Sequence, residues 1–200
     1  ACKKKLPGAS FLYFSDHGHF PYGEKTPAEI QSYAIKITDF LLNKGSQLIV
    51  IACNAATISS ISVLREKFPV QFVGTEPAVK PASLATKTKK IAVLLTNAAS
   101  VGHSYQELVS KWNHDVQVYS IPMPKLVQLI EDNAIQTDSF QEYLSGELDK
   151  ILQSGIDTIV LGCTHFIFIK PYLIKHYKKH FTILDPTEGV SNQTKRLYSL

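Results

Sequence analysis

Three cysteines, one methionine and one tryptophan in 200 residues exclude several kinds of protein at the outset. Cys2, Cys53 and Cys163 cannot all pair, and none has disulfide-framework or CxxC spacing, so reduced thiols are expected rather than a disulfide scaffold. No apolar stretch approaches the ~20 residues of a membrane helix and no signal peptide is visible. The expected location is therefore cytoplasmic, with no membrane partner. The net charge is only +4, and its lysines are scattered apart from Lys3-Lys4-Lys5 and the segment from Lys87 to Lys90. With no aromatic residues interleaved along a basic stripe, nucleic acid is not an expected partner. His17, His19, Cys163 and His165 follow no structural zinc spacing, so no metal is expected. The chain opens on Ala1, and Cys2 to Pro7 reads as the end of a helix entering a loop, which leaves a further segment expected upstream.

What remains is ordinary in composition. With 44% hydrophobic and 19% charged residues the chain can bury a full core, as one large domain or two small ones. Strand-like runs recur at Phe11 to Phe14, Leu48 to Ile51, Gln71 to Val73, Ile91 to Leu95, Val116 to Ile121, Thr158 to Leu161 and Phe181 to Leu184. Helical patterns fall between them, near Pro27 to Leu41, Thr57 to Phe68, Val101 to Trp112, Lys125 to Asn133, Ser139 to Ser154 and Lys170 to His180. Thr26 stands at the N-cap of the first and Gly45 just past its end. Strands alternating with helices predict an α/β fold with mainly parallel sheets. Glu76 to Pro81 and the lysine-rich stretch after it mark a junction, so two similar α/β domains are expected. The first spans 1–84 plus 185–200, returning through a helix begun by Thr187, Glu188 and Gly189. The second spans 85–184, and the site is expected in the cleft between them.

Two segments carry the chemistry. Ala52-Cys53-Asn54-Ala55 and Gly162-Cys163-Thr164-His165 each follow a short β-branched run that reads as a strand buried on both faces, and each precedes a helix. A thiol at a strand's C-terminal end and a helix's start faces backbone N–H groups and the positive end of the dipole, which favours thiolate. Two thiols on opposite sides of a cleft suit stereoinversion: one base removes a proton from carbon while an acid returns one to the other face. Contacts of about 3–3.5 Å on each side place the sulfurs on the order of 7 Å apart. His165, two residues from Cys163, is placed to share its proton. Asn54, Thr164 and loop N–H groups are candidates for holding a substrate carboxylate. Singly, each cysteine also reads as a small buried hydrophobe. Asp16 either caps a turn or touches substrate, Tyr22 also reads as packing in a turn set by Pro21, and Glu131 also reads as a solvated carboxylate.

These loops, together with Asp16-His17-Gly18-His19-Phe20-Pro21-Tyr22-Gly23 and Asp185-Pro186-Thr187-Glu188-Gly189, resemble the glutamate racemase family, one of the cofactor-independent aspartate/glutamate racemases. The resemblance implies racemisation of glutamate by two bases with no cofactor, supplying D-glutamate for peptidoglycan, commonly as a homodimer. It makes Cys53 the base for the D-enantiomer and Cys163 the base for the L-enantiomer, with His165 and Glu131 assisting Cys163. It places Asn54 and Thr164 on the α-amino and α-carboxylate groups. Pro21, Tyr22 and Gly23 line the side-chain carboxylate end, and Ala55 and Thr96 complete the substrate-binding positions. Four features depart from the family pattern. Ala55 stands where a substrate-binding threonine is usual, Ala99 where another threonine is usual, Met123 replaces a cysteine, and His19 replaces an arginine. The family's opening strand, ending Phe-Asp-Ser-Gly, has no counterpart. An aspartate or related amino-acid racemase, or a family member that only binds an amino acid or a protein, is the alternative expectation.

Overall fold

The computed structural model describes residues 1–199. A short helix α1 (Cys2–Lys5) leads into an extended segment and two 3-10 turns, His17–His19 and Tyr22–Glu24. Helix α2 (Pro27–Asn43) then starts where the sequence says it should. The Thr26 hydroxyl accepts from the Glu29 N–H, and the Glu29 carboxylate accepts from the Thr26 N–H at 2.9 Å, a reciprocal cap that satisfies two otherwise orphaned donors. Past its end Gly45 takes φ +85°, a left-handed conformation that favours glycine.

Strand β1 (Leu48–Ile51) feeds α3 (Asn54–Lys67) and pairs in parallel with β2 (Gln71–Gly74). After α4 (Val79–Ala85) comes a second sheet, built from β3 (Lys90–Leu95), β4 (Gln117–Pro122), β5 (Thr158–Leu161) and β6 (Thr182–Leu184) in the order β4-β3-β5-β6, every pairing parallel. The connections are α5 (Asn97–Ser100), α6 (His103–Trp112), α7 (Leu126–Glu131), α8 (Asp138–Gln153) and α9 (Lys170–Tyr177). The last helix, α10 (Thr187–Tyr198), returns to β1, β2 and α1. The fold is α/β with parallel sheets, as the alternation of strands and helices predicts.

Two expectations need correction. Phe11 to Phe14 is extended but belongs to no strand. A strand needs a partner ladder, and none runs beside it among the described residues, so Tyr13 is 82% exposed and Phe14 meets only the edge of Phe40 at 5.4 Å between ring centres. The two cysteine-bearing strands are not buried alike. All four residues of β5 are buried between β3 and β6, whereas in β1 only Ile49 is, because among the described residues β1 pairs with β2 alone. The helix expected near Val101 to Trp112 forms as α6 with Gly102 at its N-cap, packed so close to α3 that a Cβ there would meet Ile58 Cγ2 at 2.1 Å.

Burial follows the strands. Leu94, Leu161, Phe140, Leu144 and Phe166 form a core on one side of the larger sheet, and Ile91, Val93, Leu95 and Val160 pack with Val79, Ala82 and Ile58 on the other. A smaller core around Ile49, Leu64 and Phe72 lies under the two-stranded sheet. Because Ile58 of α3 joins the core of the larger sheet, the two halves are packed together along the side that carries the site.

Candidate functional site

The loops that leave the C-terminal ends of β1, β3 and β5 open onto one groove of about 1370 Å³, the edge at which parallel α/β sheets bind ligands. Cys53 follows β1 and is the N-cap of α3, its sulfur accepting from the Ala56 N–H at 3.5 Å. Cys163 follows β5 across Gly162, whose N–H donates to the Leu94 carbonyl at 2.7 Å. A Cβ at 162 would sit 2.8 Å from that same oxygen, so only glycine lets the Cys163 loop lie this close to β3. Beyond Cys163 the chain forms a 3-10 run, Thr164–Ile169, before α9 begins, so the expected α-helical start is a tighter turn here.

Burial governs both thiols. It pushes Cys53 up, with the N–H groups of Ala56 and Ala55 pulling the other way. It pushes Cys163 up to about 12, opposed by the His165 N–H and reinforced by negative charge on Cys53, then opposed again by the Phe166 N–H. The N–H groups expected to favour thiolate are present, but desolvation outweighs them and raises both cysteines, so the protonated thiol is the favoured form of each. Cys53 is close enough to act on the charge of Cys163, and both line the same groove.

The residues nominated from sequence line this groove, on both sides of it. On the Cys163 side, His165 Nε2 lies 2.6 Å from Glu131 Oε1, at the end of α7. A carboxylate only accepts, so Nε2 carries the proton there and Nδ1 is left to take one. Thr164 is half-buried beside Cys163. Thr96, at the end of β3, accepts from the Ala99 N–H at 3.4 Å and keeps its own hydroxyl proton to donate. On the Cys53 side Ala55 offers only a methyl group and its N–H. Asn54 is 2% exposed and both its amide nitrogen and its carbonyl oxygen lack a protein partner. An unmet buried amide is costly in a folded protein, and such groups mark places where something else binds.

Pro21, Tyr22 and Gly23 form a strap across the groove. Gly23 lies so close to Thr96 that a Cβ would be 2.8 Å from its Cβ. Phe20 packs against the core of the larger sheet and tilts over His165, with 5.7 Å between ring centres. Among the described residues no cluster of three or more histidine, cysteine, aspartate or glutamate side chains has metal-holding geometry.

Sequence reasoning missed two supports. Ile51, the last residue of β1, has its carbonyl held by the hydroxyls of Thr75, at 2.7 Å, and Thr57, at 3.3 Å, while Thr57 Oγ1 accepts from the Thr75 N–H at 2.9 Å. This buried knot sets the direction in which the chain leaves β1 for Cys53. Threonine four residues after the cysteine, in the first turn of its helix, was the available signal. The other is Asp16, which neither caps its turn nor stands alone: its carboxylate accepts from the Tyr22 hydroxyl at 2.6 Å and lies 2.8 Å from His19 Nδ1.

The family model for Asp/Glu/Hydantoin racemase matches residues 1–193. The glutamate racemase of Ectopseudomonas mendocina is 39% identical over 196 residues, covering 98% of this chain and 74% of that protein. That of Herpetosiphon aurantiacus is 38% identical over 192 residues, covering 96% and 76%. Among solved structures, Escherichia coli glutamate racemase in complex with L-glutamate and the activator UDP-MurNAc-Ala superposes with a TM-score of 0.86 at 29% identity, covering 96% of this chain and 74% of that one. Francisella tularensis glutamate racemase in complex with D-glutamate gives 0.81 at 26% identity, covering 97% and 74%.

Proposed function

The chain belongs to the Asp/Glu/Hydantoin racemase family, and from that premise we propose that it interconverts L- and D-glutamate by proton transfer between two cysteines. The observation that carries this reading is the placement of Cys53 and Cys163 at the ends of β1 and β5 on one groove, with a histidine–carboxylate pair beside only one of them. In the L-to-D direction Cys163, as thiolate, removes the α-proton; the Cys53 thiol delivers its own proton to the opposite face, and the charge passes to Cys53. The reverse direction exchanges the roles.

Because both sulfurs rest protonated, a base must first create the thiolate. His165 has the free Nδ1 to do so, and Glu131 stabilises the imidazolium that forms, which makes this pair the helper of the L-specific side. The substrate's ammonium group supplies further positive charge near the thiols. Asn54 meets the α-amino and α-carboxylate groups from the Cys53 side and Thr164 from the Cys163 side, while Pro21, Tyr22, Gly23, Ala55 and Thr96 shape the remainder of the pocket. No cofactor enters these steps. The halves are taken as 1–84 with 185–200, and 85–184, so substrate binding joins them. The D-glutamate so formed would serve peptidoglycan synthesis in the bacterial cytoplasm, and the expected assembly is a homodimer.

The test is circular dichroism of L-glutamate, D-glutamate and L-aspartate incubated with the protein and with its Cys53→Ser and Cys163→Ser variants. Glutamate of either hand should racemise, and either substitution should lower the rate by at least about a hundredfold, the scale of a lost acid–base group. Loss of the aspartate signal in preference to glutamate favours the aspartate alternative. A serine variant that racemises at full rate in both directions sinks the two-cysteine mechanism.

A further inference from the structure

The strap that carries Tyr22 and Gly23 has few reasons of its own to hold one shape. From Ser15 to Lys25 it consists of two 3-10 turns joined by extended residues, and none of its residues is fully buried. What organises it is Asp16. One carboxylate oxygen accepts from the Tyr22 hydroxyl at 2.6 Å, and the two oxygens lie 2.8 and 2.9 Å from His19 Nδ1. His19 in turn stacks on Tyr33 of α2 with 3.8 Å between ring centres and 21° between planes. The side chain of Asp16 is only 17% exposed and its bond from Tyr22 is partly buried, whereas its contact with His19 is open to water.

We propose, on the racemase reading of the site, that Asp16 is a positioning residue for substrate binding, fixing the strap against α2 so that Tyr22, Gly23 and Phe20 reach the groove together. The geometry is directional. Stacking of His19 on Tyr33 ties the strap to α2, Asp16 joins Tyr22 and His19 within it, and its far end reaches Thr96 and His165 through Gly23 and Phe20. Removing the carboxylate frees the Tyr22 hydroxyl and the His19 ring from each other at once, so that the stack on Tyr33 no longer holds Tyr22 in place. Because the hydroxyl of Tyr22 gives its proton to Asp16, that hydroxyl faces other groups only as an acceptor, so the donors that Tyr22 and Gly23 offer a carboxylate are their backbone N–H groups. Those donors are useful only while the strap is held. The burial of Asp16 pushes its carboxyl up, yet the hydrogen bonds from Tyr22 and His19, with the charge of His19, hold it below the usual carboxylate range, in keeping with a group that is an acceptor at neutral pH.

The experiment compares Asp16→Ala, Asp16→Asn and Tyr22→Phe with the unmodified protein, measuring KM and kcat for both enantiomers, thermal stability, and amide hydrogen exchange over residues 16–24. In Asp16→Ala, KM should rise about tenfold or more, the scale of hydrogen bonds lost to a charged group, while kcat changes by less than about threefold. Strap amides should exchange faster with the melting temperature little changed. Asp16→Asn keeps an acceptor for Tyr22 and should recover most of the affinity. The Ala effect should shrink in a Tyr22→Phe background, because one substitution has already removed the shared bond. Unchanged KM in Asp16→Ala, or a loss that only follows a lower melting temperature, overturns the proposal, as does full additivity with Tyr22→Phe. If the unmodified protein does not racemise glutamate, it is the functional reading that fails. The exchange arm still decides for the strap: faster exchange over 16–24 in Asp16→Ala supports the anchor and unchanged exchange overturns it.

Discussion

At the residue scale the balance between burial and backbone N–H groups sets the state of the thiols. Cys163, pushed to about 12, holds roughly three thousandfold less thiolate at neutral pH than an ordinary thiol of pKa ≈ 8.5. Alkylation by iodoacetamide, followed by mass spectrometry residue by residue, should therefore be slow at Cys163 near pH 7 and climb steadily to high pH; a plateau below pH 8 would contradict the assignment. The sign for stability follows. A folded pKa above the unfolded one favours the protonated form, so this contribution is intact below about pH 8.5 and is lost as pH rises toward 12. Glu131→Gln removes the negative partner of His165 and should lower kcat by about ten- to a hundredfold. The two enantiomers have equal free energies, so kcat/KM must fall equally in both directions, and steady-state assays of each enantiomer check this. Cys53, Cys163 and His165 were legible in the sequence because they sit in contiguous loops. The pairing of His165 with Glu131 was reached only through the family resemblance, since 34 residues separate them, and the Asp16–Tyr22–His19 group was not reached at all. Nor did the motif reveal that desolvation outweighs the helix dipole, because burial is set by side chains brought in from other elements.

At the element scale, helices with capping signals and strands bounded by turns were found close to their true limits; α2, with Thr26, Pro27 and Gly45, is the clearest case. The misreadings came where a neighbour decides the outcome. Phe11 to Phe14 has strand composition but no ladder to join among the described residues, and β1 lacks there the second flanking strand that buries β5 on both sides. Two changes test the elements that aim the cysteines. Gly162→Ala places a methyl 2.8 Å from the Leu94 carbonyl, a backbone atom that cannot yield, and should destabilise the protein by about 1–3 kcal/mol and lower activity. Thr57→Val deletes the hydroxyl that accepts from Thr75 N–H and donates to the Ile51 carbonyl, leaving a buried N–H unpaired, and should cost about 1–3 kcal/mol in chemical denaturation. Unaltered denaturation midpoints would show that neither contact constrains its loop.

At the scale of the whole molecule, two parallel sheets of unequal size, two strands and four, present their C-terminal ends to one groove, and each brings one thiol to it. A ligand in that groove touches both halves and should stabilise them together: D-glutamate at a hundred times its Kd should add about 2.7 kcal/mol, seen as a rise in melting temperature of about 5–10 °C, whereas an apolar amino acid should add none. The α/β alternation was legible from the order of runs, but the partners of each strand were not, because pairing is decided between segments far apart in the chain. In the proposed reaction a carbon-bound proton leaves the substrate on one face and a proton returns on the other. It is tested most directly by proton NMR of L-glutamate with the protein in deuterium oxide, read alongside optical rotation. The α-proton signal should disappear as rotation decays to zero, with each molecule of D-glutamate carrying deuterium at the α-carbon. Retention of the α-proton, with folded protein and reduced thiols, would contradict it.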